Sequence, residues 1–320
     1  MIIICIESSH QRGMGHFYRA LNILEYFKRV NERVLVVINQ DRASIQILDE
    51  KKIPYEVVDY TDTTSNWEKD IIQKNRADVW LLDKFQTGLE LAEHVKETGI
   101  ILAAIDDCGL GAELVDLHFC AMLFRNMKGK RIFAGKEYMI LNPEIAKYRK
   151  QRTEMKKLIV TLGGSDTYGV TVKVIKILKK QGQCADIVIG PNFRHRHMLE
   201  QEIDSHFIVY NTVPSLIEKF YDYDLAITGG GITCFEAIAS GLPCIIVANE
   251  LHEIDIGRYL ASFKGAKFAG YYQDISEQDI DVGSINVREM SKAALQAVPL
   301  NGMENIYKAI CNYRSERDAG

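Results

Sequence analysis

Apolar residues fall in short uninterrupted runs at 2–6, 34–38, 78–82 and 100–105, separated by stretches at 16–29, 43–50, 67–75 and 89–97 with helical spacing of apolar positions. The runs predict strands buried on both faces, and the stretches between them predict amphipathic helices. Such βαβα alternation predicts a parallel, doubly wound sheet, whose ligands bind beyond the carboxyl ends of the strands. After the charged segment 147–157 the pattern restarts at Leu158-Ile159-Val160-Thr161-Leu162, with further strands expected at 185–189, 207–210, 224–228, 244–248 and 265–269. The expected fold class is therefore α/β, with two Rossmann-like domains facing each other across a cleft. The domains are expected at 1–146 and 157–320 with a linker near 147–156, and residues 287–314 read as helices that pack back on either domain.

Composition narrows the partners. The 320 residues are 47% hydrophobic, enough for two cores, and 39 basic against 43 acidic side chains give a net charge of −4. No broad cationic surface is available for sequence-independent nucleic-acid binding. The seven cysteines (Cys5, Cys108, Cys120, Cys184, Cys234, Cys244 and Cys311) are odd in number and never spaced as C-x-x-C, which fits reduced core thiols better than a disulfide or zinc framework. The amino terminus lacks a basic segment followed by a signal-type apolar region, and no apolar run approaches the roughly 20 residues that span a bilayer. A cytoplasmic setting without stable membrane insertion is expected, and spacing sets no oligomeric state.

Candidate chemistry lies where strands meet glycines. The first run, Ile2 to Ile6, empties into Glu7-Ser8-Ser9-His10-Gln11-Arg12-Gly13-Met14-Gly15-His16-Phe17-Tyr18-Arg19. Gly13 and Gly15 let a backbone approach a ligand closely, and the N–H groups of a helix starting near Gly15 favour an anion. His16 falls in the first helical turn beside whatever the glycines hold. The same residues read equally well as a tight turn with an exposed histidine. His10 either reaches a ligand or stands as an exposed loop histidine, and Ser8 and Ser9 either bind or stabilise the turn.

In the second half, Gly163-Gly164-Ser165-Asp166 follows one strand and Gly229-Gly230-Gly231-Ile232-Thr233-Cys234-Phe235-Glu236 follows another. Successive backbone N–H groups in such loops make an anion nest, and Thr233 is placed to cap the following helix. Glu236 is expected in that helix's first turn, where it either complements the helix dipole or takes both hydroxyls of a ribose. His195 and His197, two residues apart, point away from each other on a helix, so no metal site is expected there. Cys108 has no paired histidine that would make it a nucleophile.

The motifs G-x-G-H-x-x-R, G-G-S-D and G-G-G-x-T-x-x-E-A-x-x-x-G-L-P occur in that order, and with them the chain, from Ile2 to about Tyr272, resembles the UDP-2,4-diacetamido-2,4,6-trideoxy-beta-L-altropyranose hydrolases of the pseudaminic acid pathway. Those enzymes are similar to the glycosyltransferase-B superfamily, including the N-acetylglucosaminyltransferase of peptidoglycan synthesis, and to predicted glycosyltransferases of spore-coat polysaccharide operons. The carboxy-half motif specifies the superfamily. The amino-half motif, with Asp83 and Asp106-Asp107 after their strands, points to the hydrolase branch.

The resemblance implies a UDP-sugar substrate, a nucleotide site in the second domain at Gly163, Gly164, Ser165, Gly230, Gly231, Thr233 and Glu236, and His16 as the base that deprotonates water for attack on the anomeric carbon. No metal or other cofactor is expected, because backbone donors can absorb the charge developing on UDP. Gly13, Gly15, Arg19, Asp83, Asp107 and His10 are the expected sugar-side residues, with Arg19 alternatively a salt bridge and either aspartate alternatively a helix cap. The chain departs from the family at Glu7, Lys84 and Asn142, where aspartate, histidine and arginine are usual, and at His252-Glu253, which replaces an Asn-Gln pair. The expected activity is hydrolysis of an activated amino or deoxy sugar in surface-glycan or nonulosonic acid biosynthesis. Its alternatives are a glycosyltransferase in which His16 activates an acceptor hydroxyl and a non-catalytic nucleotide-sugar binding protein.

Overall fold

In the computed structural model, which describes residues 1–8, 15–84, 86–122, 127–164, 166–190, 192–211 and 213–319, the chain divides into two compact units, Met1–Ile140 with Asn301–Gly320 and Leu141–Leu300. The first unit is built from β1 (Ile2–Ile6), α1 (Gly15–Arg29), β2 (Val34–Asn39), α2 (Arg42–Glu50), β3 (Tyr55–Val58), α3 (Trp67–Asn75), β4 (Val79–Asp83), α4 (Leu89–Glu97), β5 (Ile101–Ile105), β6 (Leu117–Cys120) and β7 (Arg131–Ala134). Its strands form one parallel sheet in the order β3-β2-β1-β4-β5-β6-β7. The four helices expected here match α1 to α4 within a residue at each end.

The apolar runs are continuous because both sheet faces are covered. Along β1, Ile2, Ile4 and Ile6 join Phe17, Ile23 and Phe27 of α1 in one core layer. Ile3 and Cys5 point the other way, into a layer with Ile71, Trp80 and Leu91. The strands without an apolar run of their own, β3, β6 and β7, are edge strands or carry polar residues such as Glu56, His118 and Arg131.

The second unit runs β8 (Leu158–Thr161), α5 (Val170–Lys180), β9 (Ala185–Val188), α6 (Arg196–Glu200), β10 (Phe207–Tyr210), α7 (Leu216–Phe220), β11 (Leu225–Thr228), α8 (Ile232–Ala239), β12 (Cys244–Ala248), α9 (Glu253–Ser262), β13 (Ala266–Tyr271) and α10 (Val287–Ala297). Its parallel sheet has the order β10-β9-β8-β11-β12-β13. The segment expected as a linker carries Arg152, whose guanidinium donates to the carbonyls of Phe220, Tyr223, Lys150 and Ser240 at 2.5–3.1 Å. It is thereby tied into the second unit.

The last helix, α11 (Gly302–Asp318), belongs to the first unit although it follows α10 of the second. Its Met303, Ile306 and Ile310 enter the α1 core layer, Tyr307 packs edge-on against Phe27 at 5.7 Å, and Arg314 donates to Glu32 at 2.8 Å and Asp78 at 3.0 Å. Residues 301–320 thus leave the 157–320 span. The apolar stripe of α11 supplies cover that the α1 face of the first sheet otherwise lacks.

Candidate functional site

In the first unit the polar groups gather at the carboxyl ends of β1, β4 and β5, adjacent strands of one sheet. His16 and Arg19 lie on one face of α1, three residues apart. Nδ1 of His16 is 2.6 Å from Oδ1 of Asp83. Arg19 Nε donates to Oδ2 of Asp83 at 2.9 Å, Nη2 donates to Oδ1 of the same carboxylate, and Nη1 donates to Asp106 Oδ2 at 2.7 Å. Asp106 reaches Arg19 from a left-handed backbone conformation, φ 49°, and its other oxygen accepts from Met122 N at 2.8 Å.

Electrostatics hold the Arg19–Asp83 pair ionised. Burial, the largest influence on Asp83, pushes its carboxyl up, but the Arg19 charge and the hydrogen bonds from His16 and Arg19 more than offset it and hold it below the usual range. Burial likewise works against the Arg19 charge, and Asp83 and Asp106 more than restore it. With Nδ1–H donated to a carboxylate, the His16 lone pair lies on Nε2, in a side chain 31% exposed. The arrangement is a partly exposed histidine oriented by a buried aspartate.

Several expected sugar-side residues have partners within the fold. Asp83 is 0% exposed and contacts His16, and Arg19 is buried between two carboxylates. Asp107 is also fully buried: Oδ1 accepts from Thr87 N at 3.0 Å and Gly109 N at 2.8 Å, stapling the loop between β4 and α4 to the end of β5. Its neighbour Asp106, read from sequence as part of the Asp106-Asp107 pair but not as a sugar-side residue, joins the histidine cluster, because consecutive residues present their side chains in opposite directions. Gly15 is exposed, with open space where a Cβ would stand. Ser8 is buried and tied to Ser44 Oγ at 2.7 Å and to Asn39. His10 and Gly13 lie outside the described residues, as does Ser165 in the second unit.

In the second unit Gly163 takes φ +97°, and a Cβ on Gly190 would come within 2.2 Å of the Gly164 carbonyl oxygen, so the loops after β8 and β9 touch. Asp166 accepts from Val170 N at 2.7 Å and Thr171 N at 2.8 Å and serves the start of α5. Gly230 is less available than an open nest requires: its N–H donates to Glu253 Oε2 at 3.1 Å, and Asn249 N donates to the same oxygen at 2.7 Å. Glu253 therefore shapes the triple-glycine loop, a role that its place among the family departures did not disclose. Gly231, with nothing near its Cβ position, is the open member and the N-cap of α8.

Thr233 is the second residue of α8 and not its cap, because the helix begins at Ile232. For the same reason Glu236 lies beyond the first turn. It is half-buried, its carboxyl forms no hydrogen bond among the described residues, and burial pushes that carboxyl up to about 7. His195 and His197 diverge, to the Thr167 carbonyl at 3.0 Å and to Gln201 at 3.2 Å. Cys108 is raised by burial and by Asp107, the reverse of what a nucleophile needs. Among the described residues no group of three or more His, Cys, Asp or Glu side chains is placed to hold a metal ion, and no helix is long and apolar enough to cross a membrane.

Two successive Rossmann-like units, each with a parallel sheet, define the glycosyltransferase-B fold. MurG of Acinetobacter baumannii superimposes with a TM-score of 0.72 over 97% of this chain and 99% of its own at 12% identity. HepE of Anabaena, in complex with UDP, gives 0.64 over 98% and 100% at 14% identity. By sequence the chain is similar to the spore coat polysaccharide biosynthesis protein SpsG of Bacillus subtilis, 23% identical over 272 residues and 78% of each chain. It is also similar to an uncharacterized protein of Methanocaldococcus jannaschii, 25% identical over 311 residues and 88% of this chain, and it spans 63% of that relative's length. No family model matches the chain.

Proposed function

We propose that the protein is a nucleotide-sugar hydrolase that releases UDP from an activated amino or deoxy sugar, in surface-glycan or nonulosonic acid biosynthesis, with His16 as general base and no metal in the reaction. The observation that carries this reading is the contact of 2.6 Å between His16 Nδ1 and the buried Asp83 carboxylate. It orients Nε2 as the proton acceptor and stabilises the imidazolium that forms. Water attacks the anomeric carbon, its proton passes to Nε2, and the bond from that carbon to the β-phosphate oxygen breaks with its electron pair leaving on UDP. In the second unit, Gly231 at the start of α8 supports diphosphate binding and Glu236 supports binding of the ribose hydroxyls. The UDP bound by HepE and the polysaccharide role named for SpsG agree with a nucleotide-sugar substrate.

A second reading, a glycosyltransferase in which His16 deprotonates an acceptor hydroxyl, is favoured by the likeness to MurG. The test is incubation with a panel of UDP- and CMP-activated amino sugars without acceptor, followed by NMR, alongside His16→Ala. UDP and free sugar, lost in the variant, support hydrolysis. Tight binding without turnover across the panel transfers the assignment to a transferase.

A further inference from the structure

Lys84 directly follows the aspartate that holds His16, and it is 5% exposed. Stripping an ammonium of water is unfavourable unless its donors are filled. Its Nζ lies 3.5 Å from the centre of the Tyr60 ring and 3.9 Å from Oε2 of Glu7. The first contact is cation–π and the second is longer than a hydrogen bond. No described residue accepts a hydrogen bond from this Nζ. Tyr60 cannot swing to let the lysine go, because its hydroxyl donates to the Ile6 carbonyl at 2.8 Å and its ring packs edge-on against Trp67 at 5.9 Å. The ammonium is therefore fixed, with donors to spare among the described residues.

What those donors would meet follows from the pairing. Ile6 and Asp83 are register partners in adjacent strands, so Glu7 and Lys84 emerge side by side one residue further on. The lysine charge is already balanced by Glu7, whose carboxylate repels a ligand carboxylate or phosphate at the same spot. A carbonyl oxygen can accept from Lys84 but has nothing to donate to Glu7. A hydroxyl does both, and an oxygen about 2.8 Å from each of two atoms 3.9 Å apart subtends an angle of about 90° between them, open enough for one donor and one acceptor. A carboxylate has about four acceptor directions, so this role is compatible with other contacts of Glu7.

We propose that Lys84 and Glu7 form a hydroxyl-recognition pair, the ammonium donating to and the carboxylate accepting from one ring hydroxyl of the sugar portion. The proposal rests on the nucleotide-sugar reading and makes the substrate hydroxylated, not deoxygenated or acylated, at that position. Both residues are specificity determinants and take no part in the proton transfer at His16.

Calorimetric binding of UDP, UDP-N-acetylglucosamine, UDP-N-acetylgalactosamine and the 3-, 4- and 6-deoxy analogues of each sugar nucleotide tests the pair. One deoxy position is expected to weaken binding to the wild type by roughly 10- to 100-fold. Lys84→Met and, separately, Glu7→Gln should bring the parent sugar nucleotide down to that level while leaving the deoxy analogue and UDP unchanged. A pure packing role would lower every affinity alike or none, and either pattern overturns the proposal, as does a wild type that treats all deoxy analogues as it treats the parents. Failure to bind UDP at all overturns the nucleotide-sugar reading itself, whereas binding without hydrolysis overturns only the hydrolase assignment.

Discussion

Nδ1 of His16 and Oδ1 of Asp83, 67 residues apart in sequence, meet at 2.6 Å because α1 starts over the carboxyl end of β1 and β4 lies beside it. The aspartate is sealed from solvent and the imidazole is not. Asp83→Asn keeps the shape but replaces the acceptor that selects the histidine tautomer, so kcat is expected to fall by roughly 10²- to 10⁴-fold with UDP affinity unchanged. Steady-state kinetics beside UDP titration will check this; equal losses in kcat and UDP binding would count against a base–orienter pair.

The same carboxylate links folding to pH. Its folded pKa is depressed, so its contribution to stability is complete above the unfolded value of about 4 and is lost as pH falls through the lower folded value. Urea midpoints measured from pH 6 down to pH 2 should fall steeply at the acid end for the wild type and less steeply for Asp83→Asn.

Glu236 behaves in the opposite sense. Burial pushes its carboxyl up to about 7, so raising the pH from 6 to 8 creates the carboxylate that accepts from ribose hydroxyls. Affinity for a UDP-sugar, whose diphosphate does not titrate in that range, should rise over this interval by up to roughly tenfold. In Glu236→Gln the profile should be flat; an unchanged slope would remove the ribose role.

Adjacent glycines of the β11 loop should respond differently. A Cβ on Gly230 would lie 2.6 Å from the Glu253 Cβ and 3.0 Å from its carbonyl oxygen, whereas at Gly231 nothing stands within 4 Å. Gly230→Ala is expected to destabilise the protein by about 1–3 kcal/mol. Gly231→Ala should fold normally and lose UDP affinity, because its methyl occupies the approach to the α8 N-terminus. Thermal unfolding and UDP titration of the two variants separate these effects.

Arg152 has four backbone carbonyl acceptors and no carboxylate among its hydrogen-bond partners, two of the acceptors at the ends of α7 and α8. The carboxyl ends of helices carry partial negative charge, which substitutes for a counter-ion. Arg152→Met leaves buried carbonyls unpaired and should cost about 3 kcal/mol or more in urea unfolding. A loss under 1 kcal/mol would show that water replaces the guanidinium.

Much of the architecture was legible before any coordinates. Helices α1 to α4 and all six strands of the second sheet follow from apolar periodicity, because a strand covered on both faces has to be apolar throughout. Strands β3, β6 and β7 escaped because an edge or a polar residue such as His118 breaks that continuity. The destination of α11 was not encoded locally either: its stripe of Met303, Ile306 and Ile310 states that a face must be buried, not which sheet buries it.

At the candidate site the division is similar. The order of strand, glycine turn and helix put His16 in the first turn of α1 beside glycines at a strand end, and Arg19 entered through the motif. That Asp83 and Asp106 complete this cluster while Asp107 turns away to Thr87, and that Glu253 occupies the Gly230 amide, required the folded chain. Local spacing records the face a side chain takes on its own strand or helix; strand order in a parallel sheet, set by long crossovers, selects which distant residues become its neighbours.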